Sequence, residues 1–109
     1  MTSDINDRLL SMIGMSRRAG KLTAGFDTVV EAVRTGSIRS VFYASDVSAK
    51  TVKELNYVCA QENAQTIPLP VTMDEIRRIT AKRIGIFAIT DAGLQRKISE
   101  MILSDGGKI

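Results

Sequence analysis

Apolar positions recur along this chain with two periods, one near 3.6 residues and one in short continuous runs. Ile5, Leu9, Met12 and Ile13 repeat at helical spacing. Ser3 stands where an N-cap belongs, Asp4 and Asp7 suit a first turn, and Arg17-Arg18-Ala19 before Gly20 predicts the stop. Residues 21–24 predict a short strand or an extended link. Gly25-Phe26-Asp27 opens a second helix with Phe26, Val29, Val30 and Val33 on one face and Gly36 after its last turn. Residues 38–44 are β-branched and aromatic, with Val41, Phe42 and Tyr43 consecutive, which predicts a strand covered on both faces.

Ser48 is positioned to cap a helix over residues 49–62 that turns Val52, Leu55, Val58 and Cys59 inward. Residues 66–69 predict a short strand, which Pro68 confines to a sheet edge or a strand end. Thr72-Met73-Asp74-Glu75 has the spacing of a capping box, starting a short helix that carries Ile76 and Ile79. A second apolar run over residues 84–89 predicts another covered strand. Thr90 or Asp91 then caps a last helix with Leu94, Ile98, Met101 and Ile102 on one face, ahead of a flexible tail over 104–109. Helices and strands alternate with connections suited to crossovers, which predicts an α/β fold: one domain over 1–109, a three-layer α/β/α sandwich around a mixed sheet of about four strands.

Composition narrows the chemistry. There is no histidine and no tryptophan, and Cys59 is the single cysteine. A Ser-His-Asp triad, a histidine acid/base and the ordinary zinc or haem sites need residues this chain lacks, so no enzyme activity, metal or cofactor is expected. Cys59, on the inward face of its helix, reads as a small core hydrophobe rather than a nucleophile. A lone cysteine suits a reducing compartment, no apolar run approaches the roughly 18 residues of a bilayer span, and the acidic start is no signal-peptide n-region. A monomer in the cytoplasm, without membrane contact, is the expectation.

The net charge of +3 is unevenly spread. Between Arg8 and Phe26 lie Arg8, Arg17, Arg18 and Lys21 and no acid, and between Ile76 and Thr90 lie Arg77, Arg78, Lys82 and Arg83, again with no acid. The remainder holds 7 basic and 12 acidic residues, a net −5. Two acid-free basic segments on an acidic body are what a phosphate-contacting protein needs. Helix ends whose cations complement the dipole are the other reading. Ligands gather where loops leave one end of such a sheet, so the turn over residues 20–28 and the Lys82-Arg83 loop are expected to share an edge.

The stretch Ser16-Arg17-Arg18-Ala19-Gly20-Lys21-Leu22, then Gly25-Phe26-Asp27, Glu31-Ala32-Val33-Arg34-Thr35-Gly36, Ala44-Ser45-Asp46 and Phe87-Ala88-Ile89-Thr90-Asp91 resembles the ribosomal protein L7Ae/L30e family. More narrowly, it looks like the bacterial L7Ae-like proteins. The resemblance covers most of the chain and implies an L30e-like fold and RNA binding, typically of kink-turns, in which a sharply bent duplex exposes tandem sheared G·A pairs. The partners it implies are ribosomal RNA or another structured kink-turn RNA, and the ribosome.

In the family, a Gly-x-Asn-Glu-x-x-Lys pattern at the start of the second helix sets bare N–H groups and the positive helix end against phosphate and first-turn side chains against base edges. Carried over position by position, Gly25 keeps the glycine, Asp27 takes the Asn position, Thr28 the Glu position and Glu31 the Lys position, with Phe26 between. Asp27 accepts from a guanine edge but has no amide donor, Thr28 is shorter, and Glu31 reverses the charge. These departures fit weaker binding, a different RNA, or binding displaced toward the basic segments. Helix capping is the structural reading of Asp27 and Thr28. The family's second contact is the loop before the last strand, here Thr80-Ala81-Lys82-Arg83 followed by Ile84 as the apolar cover. Arg17, Arg18, Lys21, Lys82 and Arg83 are the candidate phosphate contacts.

An adaptor that keeps the fold and binds protein is the alternative, since the set Asp27, Thr28 and Glu31 permits it. Asp46 at a strand end suggests a receiver-domain phosphoacceptor, but the acidic pair expected near the first strand is absent, so Asp46 reads as a loop or helix-entry residue. A related fold serves RNA methyltransferases as a substrate-binding appendage, yet no cofactor-binding domain follows here.

Overall fold

A computed structural model describes residues 4–106. Nine elements follow one another: α1 (Asp4–Arg18), β1 (Leu22–Ala24), α2 (Phe26–Arg34), β2 (Ser40–Tyr43), α3 (Ala49–Gln61), β3 (Gln65–Pro68), α4 (Met73–Thr80), β4 (Ile86–Ile89) and α5 (Ala92–Gly106). Several boundaries follow from capping chemistry. The Ser48 side chain accepts from the N–H of Thr51, and Thr72 and Glu75 exchange both bonds of the capping box. Asp91 rather than Thr90 starts α5, its Oδ1 accepting from the N–H of Leu94 at 2.9 Å. Ser3 and residues 107–109 lie outside the described residues; α5 itself continues through Gly106, past the point at which the sequence predicts a tail.

The four strands form one mixed sheet in the order β1-β4-β2-β3. β4 runs antiparallel to both neighbours, Leu22 facing Ile89 on one side and Phe42 facing Phe87 on the other, while β2 and β3 are parallel across the α3 crossover. Central placement explains why all four β4 side chains are buried. β3 pairs only with β2, so Pro68, which lacks an N–H, costs no ladder bond on the open side.

Alternation along the strands splits the core into two layers, giving the α/β/α sandwich. Phe42, Phe87 and Ile89 point to the face covered by α1, α4 and α5 through Leu9, Ile13, Ile76 and Ile98. Val41, Ile86 and Ala88 point to the other, against Val29, Val30 and Val33 of α2 and Leu55, Val58 and Cys59 of α3. The Phe42 and Phe87 rings stack at 5.5 Å, directly opposite in register. Cys59 is 1% exposed within this second layer, and burial pushes its thiol pKa up.

Three expected boundaries move. β2 is confined to Ser40–Tyr43 instead of spanning 38–44, with Ile38 and Ala44 buried just outside it. β3 starts one residue earlier than expected and ends at Pro68. β4 begins at Ile86, so Ile84 and Gly85 belong to the connection from α4.

Candidate nucleic-acid interface

Gly25 joins the two parts of the interface. Its φ of 99° and ψ of 144° suit glycine, and this backbone turns the chain from β1 into α2. Its N–H donates to the carbonyl of Ile86 at 2.9 Å, and its own carbonyl accepts the N–H of Val29 at 3.0 Å. The N-terminus of α2 is thereby fixed beside the start of β4, where the 81–85 connection ends. Gly25 is the N-cap and supplies no side-chain bond, so the first-turn N–H groups of α2 have no capping oxygen.

The capping reading of Asp27 and Thr28 is therefore not what the structure shows: both lie inside α2 with exposed side chains. Glu31, one turn on, is exposed as well. Phe26 is half-buried against Val29, Val33 and their neighbours in the second core layer, which anchors the helix start.

The loop before β4 is built by Thr80 and Ala81. Thr80 is buried; its hydroxyl donates to the carbonyl of Ile76 at 3.0 Å and faces the carbonyl of Lys82 at 2.9 Å. Ala81 takes the left-handed conformation, φ 66°, that ends α4. Lys82 emerges exposed from this turn, and Arg83 reaches back to the first turn of α4, where its guanidinium pairs with Asp74. Arg77 approaches the same carboxylate at 3.8 Å.

Ile84 requires a correction. Expected as the apolar cover of an RNA groove, it is only 6% exposed and packs in the first core layer, so its side chain faces away from any ligand. Beside it, Gly85 is pressed against Met73 and Val47: a β-carbon there would lie 3.0 Å from the Met73 sulfur and 3.1 Å from a Val47 methyl. Its carbonyl accepts the N–H of Ala44 at 2.8 Å.

Of the 20–28 turn expected to share an edge with the Lys82-Arg83 loop, only the Gly25 end does so. Gly25 and Lys82-Arg83 stand at the end where β1 finishes and β4 begins. Lys21 stands at the other end, where its carbonyl accepts the Thr90 N–H at 2.8 Å and its own N–H donates to the carbonyl of Ser16 at 2.8 Å. Arg17 and Arg18, in the last turn of α1, lie on that side too. The antiparallel pairing of β1 with β4 causes this separation.

Sequence reasoning missed the pairing of Asp74 with Arg83, while Asp46 proves to be a loop residue at a helix entry. Asp74 holds Arg83, and Asp46 Oδ1 accepts the N–H of Met73 at 2.9 Å, so both place acid beside the loop. A helix-initiating Asp nine residues before an Arg carries no periodic signal, and only the return of the loop along α4 brings them together.

A model of the ribosomal protein L7Ae/L30e/S12e/Gadd45 family matches residues 7–93, which include every strand and both parts of this interface. The chain belongs to that family. It is 28% identical over 102 residues to the RNA-binding protein YlxQ of Enterococcus faecium, covering 94% of this chain and 98% of that protein. It is 26% identical over 89 residues to the large ribosomal subunit protein eL30 of Candida albicans, covering 80% and 84%. A solved structure of a protein of unknown function from Bacillus halodurans matches with a TM-score of 0.77 and 28% identity over 86% of this chain and 95% of the other. A 15.5kD RNA binding protein of Giardia lamblia shares the fold at 14% identity, with a TM-score of 0.72 over 97% of this chain and 91% of that one.

Proposed function

We propose that this protein is a non-enzymatic RNA-binding protein that docks the N-terminus of α2 and the loop before β4 on structured RNA of the kink-turn class, as a monomer in the cytoplasm and in association with the ribosome or another structured RNA. The observation that carries the reading is the Gly25–Ile86 hydrogen bond, which sets the uncapped first turn of α2 beside the start of β4, where the loop carrying Lys82 and Arg83 ends. Bare N–H groups at a positive helix end favour phosphate, and two cations within the same edge extend the contact. Two relatives, the RNA-binding protein YlxQ and eL30 of the large ribosomal subunit, support the same reading.

The mechanism is shape selection with little base readout. Asp27 accepts hydrogen bonds from a guanine edge, Thr28 reaches only a near phosphate or sugar, and Glu31 keeps phosphate away from the second turn of the helix. A bent RNA that leaves a gap opposite Glu31 satisfies all three; a straight duplex does not.

A second reading, the protein-binding adaptor, is favoured by Asp27, Glu31 and Asp74, which place acid where an RNA ligand would dock. Electrophoretic mobility shift separates the two, with a kink-turn RNA beside a straight duplex and Lys82→Ala as the variant. RNA binding at α2 predicts a kink-turn shift that weakens in K82A. No shift with either RNA at near-physiological salt favours the adaptor.

A further inference from the structure

The two ends of the sheet differ in charge. At the α2 end, Asp27 and Glu31 are exposed on α2, Asp46 accepts the Met73 N–H at the start of α4, and Asp74 pairs with Arg83. At the opposite end, β1 and β2 begin and β4 finishes. Lys21 precedes β1, Arg39 precedes β2, and Thr90 follows β4. Extending the pairings Leu22–Ile89 and Phe42–Phe87 outward puts Lys21, Thr90 and Arg39 in one row across the sheet. Thr90 pins the row by donating both its N–H and its hydroxyl to the carbonyl of Lys21, at 2.8 and 3.1 Å.

Because β4 lies between β1 and β2, the backbones of Lys21 and Arg39 stand two strand spacings apart, about 10 Å. On the Arg39 side of this row opens a shallow groove whose lining includes Ser37, Arg39, Ser40, Thr90 and Gln95, with Lys21 outside it. Arg34, in the last turn of α2, and Arg17 and Arg18, in the last turn of α1, border the same end. Acid is sparse there: Asp91 has an oxygen committed to the N–H of Leu94, and Glu62 closes α3. Among the described residues the salt bridges formed go to Asp74 alone, and none of these five cations is within ion-pair distance of a described carboxylate.

We propose that this end of the sheet is a second phosphate-binding surface, which holds a stretch of RNA sugar–phosphate backbone independently of the α2 edge. A row of cations spread over about 10 Å suits successive backbone phosphates better than one small anion, which needs donors converging on a point. The Ser40 hydroxyl, which accepts from the Gln65 amide at 3.0 Å and keeps its own proton, supplies a neutral donor for phosphate or for the ribose 2′-OH. Nothing in the row reaches for a base edge, so the surface adds affinity without sequence or kink preference. The inference rests on the protein being an RNA binder, but not on α2 being the place where RNA docks.

The test is fluorescence anisotropy of the full chain with a kink-turn RNA and a straight RNA duplex, titrated between roughly 50 and 200 mM salt. The double variant Lys21→Ala/Arg39→Ala is expected to lower the magnitude of the slope of log K against log salt by about 2, to the same extent on both RNAs. Lys21→Gln/Arg39→Gln, which keeps side-chain bulk, is expected to do the same, with thermal unfolding monitored to confirm that both variants remain folded. A slope left intact in both doubles overturns the inference, and if K82A still weakens kink-turn binding, the reading at α2 stands without it. A slope lowered in the doubles while K82A binds normally upholds the inference and removes the α2 reading. Wild-type protein that binds neither RNA overturns both.

Discussion

The γ2 methyl of Ile79 in α4 packs directly on the bare backbone of Gly14 in α1, leaving no room for a β-carbon between them. The guanidinium of Arg18, one turn further along α1, lies over the same spot, 3.3 Å from where that β-carbon would stand. This contact lets the two helices approach closely on the first core layer.

Gly14→Ala is therefore expected to destabilise the protein. Alanine improves helix propensity by up to about 1 kcal/mol, but forcing a methyl into a filled contact costs typically 1–3 kcal/mol, so the second effect wins. Urea unfolding should show a lower midpoint for G14A, and G14A/I79A should regain stability relative to G14A. A G14A midpoint at or above that of the wild type would mean that α4 moves aside without cost.

Gly25→Ala and Ala81→Gly are expected to change stability in opposite directions for one shared reason. Neither effect is steric with respect to neighbours at position 25, since a β-carbon there meets nothing within 4 Å; the cost is the positive φ itself. G25A should lose about 1–3 kcal/mol, whereas A81G relieves a left-handed alanine at φ 66° and should gain up to about 1 kcal/mol. Thermal melts of the two variants side by side check the signs. G25A should also weaken RNA binding, because it displaces the α2 N-terminus from Ile86.

Removing the acid that restrains the basic loop should favour an anionic ligand. Asp74 and Arg83 are 60% and 52% exposed at the side chain, so their pairing contributes at most about 1 kcal/mol to stability and Asp74→Ala should melt near the wild type. Freed from Asp74, Arg83 and Arg77 can both neutralise phosphate, and the variant should bind kink-turn RNA more tightly with a steeper salt dependence. Unchanged or weaker binding would show that Asp74 orients Arg83 toward RNA instead of withholding it.

Cys59 sets a pH response. Folding raises its thiol pKa above the ordinary 9.0, so the folded state holds the proton longer than the unfolded one. Below that value both states are protonated and the group is silent. As pH rises past it, the unfolded chain ionises first and stability falls, until the folded thiol also titrates. Cys59→Ala should lose this alkaline component, measurable as a shallower decline of urea midpoints between neutral and strongly alkaline pH. In the native state at neutral pH, the thiol should resist alkylating reagents until the protein is unfolded.

Local chemistry was readable from the chain to the extent that it is local. Ser48, the Thr72–Glu75 box and the glycine after each of the first two helices fix element ends within a few residues of sequence, and the structure realises them. Ile84 misled because an apolar residue beside a basic loop has the same sequence appearance whether it covers a ligand or turns inward; only the late start of β4 decides. The charge map misled for a larger reason. Lys21 and Gly25 are four residues apart, yet β1 separates them along its length, and which end of the sheet each occupies depends on a pairing with residues more than sixty positions away.

That pairing also bears on how the molecule assembles. β4, the last strand made, is the one that sits between β1 and β2, so the sheet cannot be closed until nearly the whole chain is present. The parallel pair β2–β3 with α3 can form early, while β1 waits for a partner through most of synthesis, closing a loop that costs entropy before it returns any contact. A chain cut before Ile86 would leave β1 unpaired and both core layers open to water. The central strand is thus a completion check on the polypeptide: the α2 edge and the cation row both depend on it, so neither of the two surfaces proposed for RNA exists until translation has passed it.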